Sequence, residues 1–450
     1  MNSSKKTYQI NLTSVQLIVL FYLGAVMIST LLLSLPLTHK PGVEWTFIDA
    51  FFTGVSAISV TGLTVVSTAD TFNTFGVFVL AFILQFGGIG IMTLGTFIWL
   101  MLGRKIGLKE RQLIMTDQNR GTFSGLVDLM KQILTLILII EAIGALLLGT
   151  YFLRYFPSWQ EAFLQGFFAS VSATTNAGFD ITGQSLIPFA NDYYVQTINM
   201  VLLTLGAIGF PVLIEIKEFL KKGPGQRYQF SLFTKITTVT FFSLTVIGAL
   251  LIYLLERRHF FSDMNWHQTL YYSMFQSITT RNGGLATMDI SEFSIPTLLV
   301  LSILMFIGAS PSSVGGGIRT TTFAIVLLTI FSFARGRQTV KVFRRELDPG
   351  DVMKSFVVMS VAMFICGTAV ITLSIIEPFP LMPIIFEVCS AFGTTGLSMG
   401  ITPELSTAGK LIIIILMFVG RIGIFSFLFI IRGKLSEESY HYPKEQVIIG

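Results

Sequence analysis

Charge is scarce in this sequence. Asp, Glu, Lys and Arg make up 12% of its 450 residues, about half the share in an ordinary soluble domain. That shortage excludes a soluble globular chain of this length. Cysteine is scarcer still: Cys366 and Cys389 both lie in apolar stretches. They form neither a disulfide framework nor a thiolate metal set and read as small buried hydrophobes. The four histidines, His39, His259, His267 and His441, fall outside the apolar spans, and no HExxH pair is present. A zinc hydrolase is thereby excluded. No other catalytic constellation is found, so the chain reads as a non-enzyme. The formal net charge of +5 comes from basic residues in short loops between apolar spans. That is a topology signal rather than a nucleic-acid surface.

What is abundant is apolar, 52% of the chain, with runs long enough to cross a bilayer at about 20 helical residues each. Outer spans are expected near 14–36, 130–153, 234–255 and 354–376, and second spans near 75–102, 195–220, 296–334 and 409–431. Lys5 and Lys6 precede the first run, and no clean small-residue cleavage site follows, so the first span is expected to be retained. Between the members of each pair lies one recurring loop: Ser56–Leu63, Ser172–Phe179, Ser277–Gly284 and Ser390–Leu397. Each places a glycine six residues after a serine, namely Gly62, Gly178, Gly283 and Gly396. Trp45, Trp159 and Trp266 open the first three re-entrant segments, at a depth that suits the membrane interface. Four copies in register predict an all-α polytopic membrane protein with four covalently linked M1–pore loop–M2 repeats around one pore. The expected boundaries are 1–120, 121–230, 231–350, 351–432 and a cytoplasmic tail over 433–450.

Orientation follows from the basic residues. Lys5 and Lys6, the clusters over 104–120, 217–235 and 335–354, and Arg432, Lys434 and Lys444 fall on one side. Lys40, Arg154, Arg257, Arg258 and Lys410 fall on the other. The excess puts both termini in the cytoplasm, with the loops entering from outside a cell membrane.

A cation leaving water must regain oxygen ligands, and carbonyls of an extended backbone supply them. Glycine leaves no side chain in the path and reaches dihedrals closed to other residues. Each short helix points the negative end of its dipole at the axis. The candidate ion-binding residues are therefore Val60, Thr61, Gly62, Asn176, Ala177, Gly178, Arg281, Asn282, Gly283, Thr394, Thr395 and Gly396, with K⁺ expected at Gly62, Gly178, Gly283 and Gly396. No ring of carboxylates or lysines occupies the loops, which favours a monovalent cation. Arg281 is the oddity, and it is expected to point away and pair with Asp180 or Asp289.

The third second span departs from the others. Ile295 to Ala334 would run roughly 60 Å as a helix, against a hydrocarbon core of about 30 Å. Its middle, Gly308, Ala309, Ser310, Pro311, Ser312, Ser313, Val314, Gly315, Gly316 and Gly317, cannot stay helical. Non-helical backbone at that depth must be buried or line water, which predicts a loop below the four-loop filter. It is no phosphate loop, because neither a preceding strand nor a following lysine is present. Arg421, at the centre of the last span, needs a partner at that depth, and the 308–317 carbonyls are the expected one. Loop and arginine together are expected to gate the pathway.

These residues resemble a known family. The four loops, the stretch Ala-Ser-Pro-Ser-Ser-Val-Gly-Gly-Gly-Ile-Arg-Thr-Thr (309–321) and the Gly-Arg-Ile-Gly run look like the superfamily of K⁺ transporters that includes Trk, Ktr and HKT. The size and compact loops resemble its KtrB-type membrane subunits. The resemblance implies a homodimer with one pore per subunit, with the tail ending at Gly450 tucked into the dimer interface. It implies a cytosolic ring of RCK-type subunits, KtrA or KtrC, that binds ATP or ADP in place of this chain, which carries no covalent cofactor. The rival reading is an ion-coupled secondary cation carrier, a Na⁺/K⁺ or H⁺/K⁺ symporter. It would want intramembrane carboxylates, and Glu141 is the deep candidate.

Overall fold

The computed structural model describes residues 14–90, 126–222 and 228–432, together with Tyr442, Pro443, Glu445 and Ile448. Four long apolar helices, Ser14–Leu33, Leu126–Phe152, Leu232–Glu256 and Pro349–Ile376, match the expected outer spans. Their side chains show why they belong at the periphery: Leu31, Leu146, Val246 and Phe364 are all more than half exposed. An apolar surface of that extent is stable against hydrocarbon, not water.

After each outer helix comes a short helix that ends deep inside the bundle: Phe47–Ser59, Trp159–Thr174, Trp266–Thr279 and Leu381–Gly393. Their starts are encoded locally. Thr46 and Ser158 accept hydrogen bonds from the backbone N–H of Asp49 and Glu161, and Asn265 with Gln268 forms a reciprocal capping box. Their last turns are almost fully buried.

Each short helix packs on its own outer helix and on the inner helix of the preceding repeat. Phe47–Ser59 meets Thr407–Ile422, Trp159–Thr174 meets Thr74–Ile89, Trp266–Thr279 meets Tyr193–Ala207, and Leu381–Gly393 meets Ile295–Ile307. That rule closes the four repeats into a ring, the last against the first. The seam carries an ion pair between Lys410 and Asp49 at 3.3 Å.

A second regularity ties the end of each outer helix to the start of its inner helix. Asn73 Nδ2 donates to the Leu37 and His39 carbonyls at 2.8 and 3.0 Å. Tyr155 donates to Asp192, which caps the helix from Tyr193. Glu256 accepts from the Ser294 N–H and hydroxyl, and Glu377 does the same for Ser406. One polar contact per repeat thus ties the chain at the end of an outer helix to the residue that precedes its inner helix, Asn73, Asp192, Ser294 or Ser406.

The inner helices differ from expectation. The sequence pointed to one broken span, in the third repeat, but every inner helix with both halves described is interrupted. Tyr193–Ala207 turns by 103° into Phe210–Lys221, and Thr407–Ile422 stops at Gly423 before Ile424–Arg432. The first inner helix ends at Ile89, with Gly90 at φ 96°, and its continuation lies outside the described residues. Gly209 and Gly423 take the same conformation, with φ of 102° and 87°, a region open to glycine and strained for other residues. A short antiparallel hairpin pairs Lys341–Val342 with Arg345–Glu346.

Candidate functional site

At the centre of the bundle the four loops meet. In each, one residue adopts the left-handed conformation and the second residue after it is a glycine with positive φ. The pairs are Val60 with Gly62, Asn176 with Gly178, Asn282 with Gly284, and Thr394 with Gly396. The glycines touch in chain order. A Cβ on Gly178 would lie 2.9 Å from the Gly284 Cα, one on Gly284 would lie 3.4 Å from the Gly396 Cα, and one on Gly396 would lie 3.0 Å from the Gly62 Cα. Gly62 closes the ring against Ala177 and Gly178. The backbone oxygens of Thr61, Ala177, Gly283 and Thr395 each lie against the neighbouring loop's glycine.

This geometry corrects the sequence register in the third loop. Gly284, not Gly283, occupies the ring position, and Gly283 stands where the other loops have Thr61, Ala177 and Thr395. The serine rule is what fails. Ser56 and Ser390 accept from the N–H of Gly62 and Gly396 at 3.1 Å, and Ser172 donates to the Phe179 carbonyl at 2.5 Å. Ser277 instead turns outward to the Thr245 carbonyl at 2.7 Å. Thr279 supports the third loop, donating to Leu285 O at 2.6 Å.

Arg281 also departs from expectation. It is fully buried and donates to the Gly308 carbonyl at 3.4 Å. Neither proposed carboxylate is available: Asp180 accepts from Thr182, Gly183 and Ser185 of its own turn, and Asp289 caps Ser291. Both acids are consumed by turn chemistry within a few residues of themselves, which a long-range pairing guess overlooks. Asn282 reaches across to the fourth loop, its Nδ2 lying 2.6 Å from Gly393 O and 2.8 Å from Thr394 O.

The 308–317 segment is non-helical and mostly buried: Ala309 and Ser310 are fully covered, and Val314 is 1% exposed. Its backbone groups are satisfied chiefly by the second repeat's break. Ser310 N donates to Ala207 O, Val314 N to Gly206 O, and Phe210 N to Ser312 O. The segment lies against the underside of the loop ring, since a Cβ on Gly315 would meet the Asn282 side chain and one on Gly316 would meet Thr394 Oγ1 at 2.6 Å. Gly308 and Gly317 pack on each other with positive φ, while Pro311, Ser312 and Ser313 face a more open side. Arg421 donates to the carbonyls of Val314 and Gly87, and to Gly88 O at 3.5 Å. One guanidinium thus bridges the first repeat's inner helix to the loop of the third.

The sequence reading passed over two residues here. Arg319, at the loop's end, donates to Gly315 O and to Ser310 O at 3.4 Å. Glu387, in the fourth short helix, is fully buried and accepts from Ser398 at 2.8 Å and from Thr402. Glu141 is therefore not the lone deep acid. It is 6% exposed and accepts from Gln85 Nε2 at 2.5 Å, while its Oε1 has no hydrogen-bond partner. The expected interface residue Gly450 and the basic cluster over 104–120 lie outside the described residues. Among the described residues no group of His, Cys, Asp and Glu could hold a metal ion.

Four re-entrant loops closed around one axis, on four M1–M2 pairs, define a multi-pass membrane transport protein of the pore-loop class. The chain belongs to the TrkH family of cation transport proteins, which it matches over residues 6–441, and it is a transporter rather than an enzyme. It is 63% identical to Ktr system potassium uptake protein D of Bacillus subtilis over 439 residues, covering 98% of each chain. It is 35% identical to Ktr system potassium uptake protein B of the same organism, again over 98% of each. The fold matches the crystal structure of the potassium transporter TrkH from Vibrio parahaemolyticus with a TM-score of 0.75 at 20% identity, over 95% of this chain and 86% of that one.

Proposed function

We propose that this chain is the ion-translocating subunit of a potassium uptake system. K⁺ passes through a filter built from Val60–Gly62, Asn176–Gly178, Asn282–Gly284 and Thr394–Gly396. The observation that carries this reading is the closed ring of four glycines with neighbouring backbone oxygens. Uncharged carbonyl ligands suit a monovalent cation stripped of water, and the names of the two Bacillus relatives point to potassium. The 308–317 loop, held beneath the ring by Arg421, acts as the gate. A cytosolic RCK-type ring, KtrA or KtrC, binds ATP or ADP and biases that gate from the face formed by the basic inter-repeat loops. Two copies assemble as a homodimer, each with its own pore, and the tail ending at Gly450 contributes to the interface. Both termini lie in the cytoplasm of a cell-membrane protein.

The test is tracer flux through purified protein in liposomes under K⁺, Rb⁺ or Na⁺ gradients. The expected result is gradient-driven flux that prefers K⁺ and is insensitive to a pH gradient. Gly284→Ala, which puts a methyl group against Thr395 O and the Gly178 Cα, should reduce the K⁺/Na⁺ preference in protein that still folds. Flux that requires a proton or Na⁺ gradient would overturn the pore in favour of the coupled carrier. The unpartnered Glu141 oxygen is the one observation that favours that second reading.

A further inference from the structure

One backbone conformation recurs where the described inner helices end or are interrupted, and in the third repeat the residue that takes it is not glycine. Gly90, Gly209 and Gly423 have φ, ψ of 96°, 135°; 102°, 133°; and 87°, 146°. The third repeat places Arg319 at 80°, 144°, and the helix Thr320–Ala334 follows it just as Phe210 follows Gly209. Where Ala207 and Ile208 alone separate Gly206 from Gly209, the third repeat inserts 309–318 between Gly308 and Arg319. Arg319 is thus the third repeat's break residue, a side chain held where L residues are strained.

The same side chain is fastened to the loop it terminates. Its guanidinium donates to Gly315 O and Ser310 O, while its backbone N–H donates back to Ile307 O at 2.9 Å. Arg421, on the fourth inner helix, takes Val314 O, so guanidinium groups from two elements address consecutive loop carbonyls. Among the described residues no acidic side chain forms an ion pair with Arg319. Both carbonyls are reached from one guanidinium nitrogen, Nη1.

We infer that Arg319 is a second latch of the 308–317 gate, and one that is spring-loaded. Its side chain holds the loop folded beneath the filter, and its glycine-type backbone stores strain that is released when those carbonyls let go. The inference rests on the reading of this loop as a gate. It adds a residue whose side chain and backbone push in opposite directions.

That opposition makes it testable by three variants of the full-length protein in liposomes, read by Rb⁺ tracer flux and by thermal unfolding in detergent. Arg319→Gly removes the latch and relieves the strain, so flux should rise at least about tenfold, as expected for losing a charge-assisted hydrogen bond to the closed state, while its unfolding temperature stays above that of Arg319→Ala. Arg319→Ala removes the latch but keeps the Cβ, so flux should rise while stability falls below that of Arg319→Gly. Deletion of Ser310–Gly317 tests the underlying gate independently. If the deletion leaves flux unchanged, the gate reading fails. If the deletion raises flux and Arg319→Gly does not, the latch fails while the gate stands. If Arg319→Gly is no more stable than Arg319→Ala, the strained hinge is wrong, because both variants lose the latch and only glycine relieves the positive φ.

Discussion

Arg421→Ala is the perturbation that bears most directly on the proposed gate. The guanidinium bridges Val314 O in the intramembrane loop and Gly87 O in the first inner helix, just beneath the ring of loop glycines. For a separation of about 6 Å and an effective dielectric constant of about 20, a fixed unit charge opposes a passing cation by about 3 kcal/mol. At about 1.4 kcal/mol per decade, removing it should raise cation flux by up to about a hundredfold. Loss of the tether to Val314 acts in the same direction by freeing the loop. The assay is Rb⁺ uptake into liposomes driven by an outward K⁺ gradient, at matched protein incorporation. Arg421→Lys separates the two contributions. It keeps the charge, but a compact ammonium on a flexible stem does not reproduce a planar fork that bridges carbonyls on two elements, so its flux should fall between parent and Ala variant. If Arg421→Ala and Arg421→Gln both stay within about twofold of the parent, charge and tether are both irrelevant to flux and the argument fails.

Two further outcomes follow from groups outside the pathway. Glu256→Ala and Glu377→Ala each leave the Ser294 or Ser406 N–H at an inner helix start without its acceptor, which should cost about 1–3 kcal/mol. Each is checked by chemical unfolding in detergent, and a change below about 0.5 kcal/mol in both would show that the contacts are incidental. Glu141→Gln keeps the shape and a hydrogen bond to Gln85 while removing any exchangeable charge. Gradient-driven K⁺ flux should persist with an unaltered pH profile, and its loss in well-folded protein would move the reading to a coupled carrier.

The candidate site was legible in unequal parts, and the division has a physical origin. The Ser/Thr/Gly loops stood out because a backbone that must expose carbonyls needs small residues at fixed spacing, which is local information. The intramembrane loop stood out because Pro311 and three consecutive glycines cannot extend a helix. The third glycine was misplaced by one residue, because the ring position follows from which residue takes the left-handed turn. Asn282 takes it at φ 77°, and no serine count reports that. Arg281 looked as though it needed a carboxylate, but its actual acceptor, Gly308 O, opens the non-helical segment that follows the third inner helix. Arg319 was passed over because nothing in a linear reading aligns an arginine with Gly90, Gly209 and Gly423.

The sequence by itself thus determined the membrane class, the four outer helices, the fourfold loop and the presence of a broken span. All of these follow from hydropathy over about 20 residues or from the dihedral limits of single residues. The tertiary structure alone decided the cyclic order in which each short helix packs on the preceding inner helix, the identity of the third ring glycine, and the meeting of Arg319 and Arg421 on adjacent loop carbonyls. Those are pairings between residues far apart in the chain. They are set by which surfaces close the bundle rather than by any pattern along it.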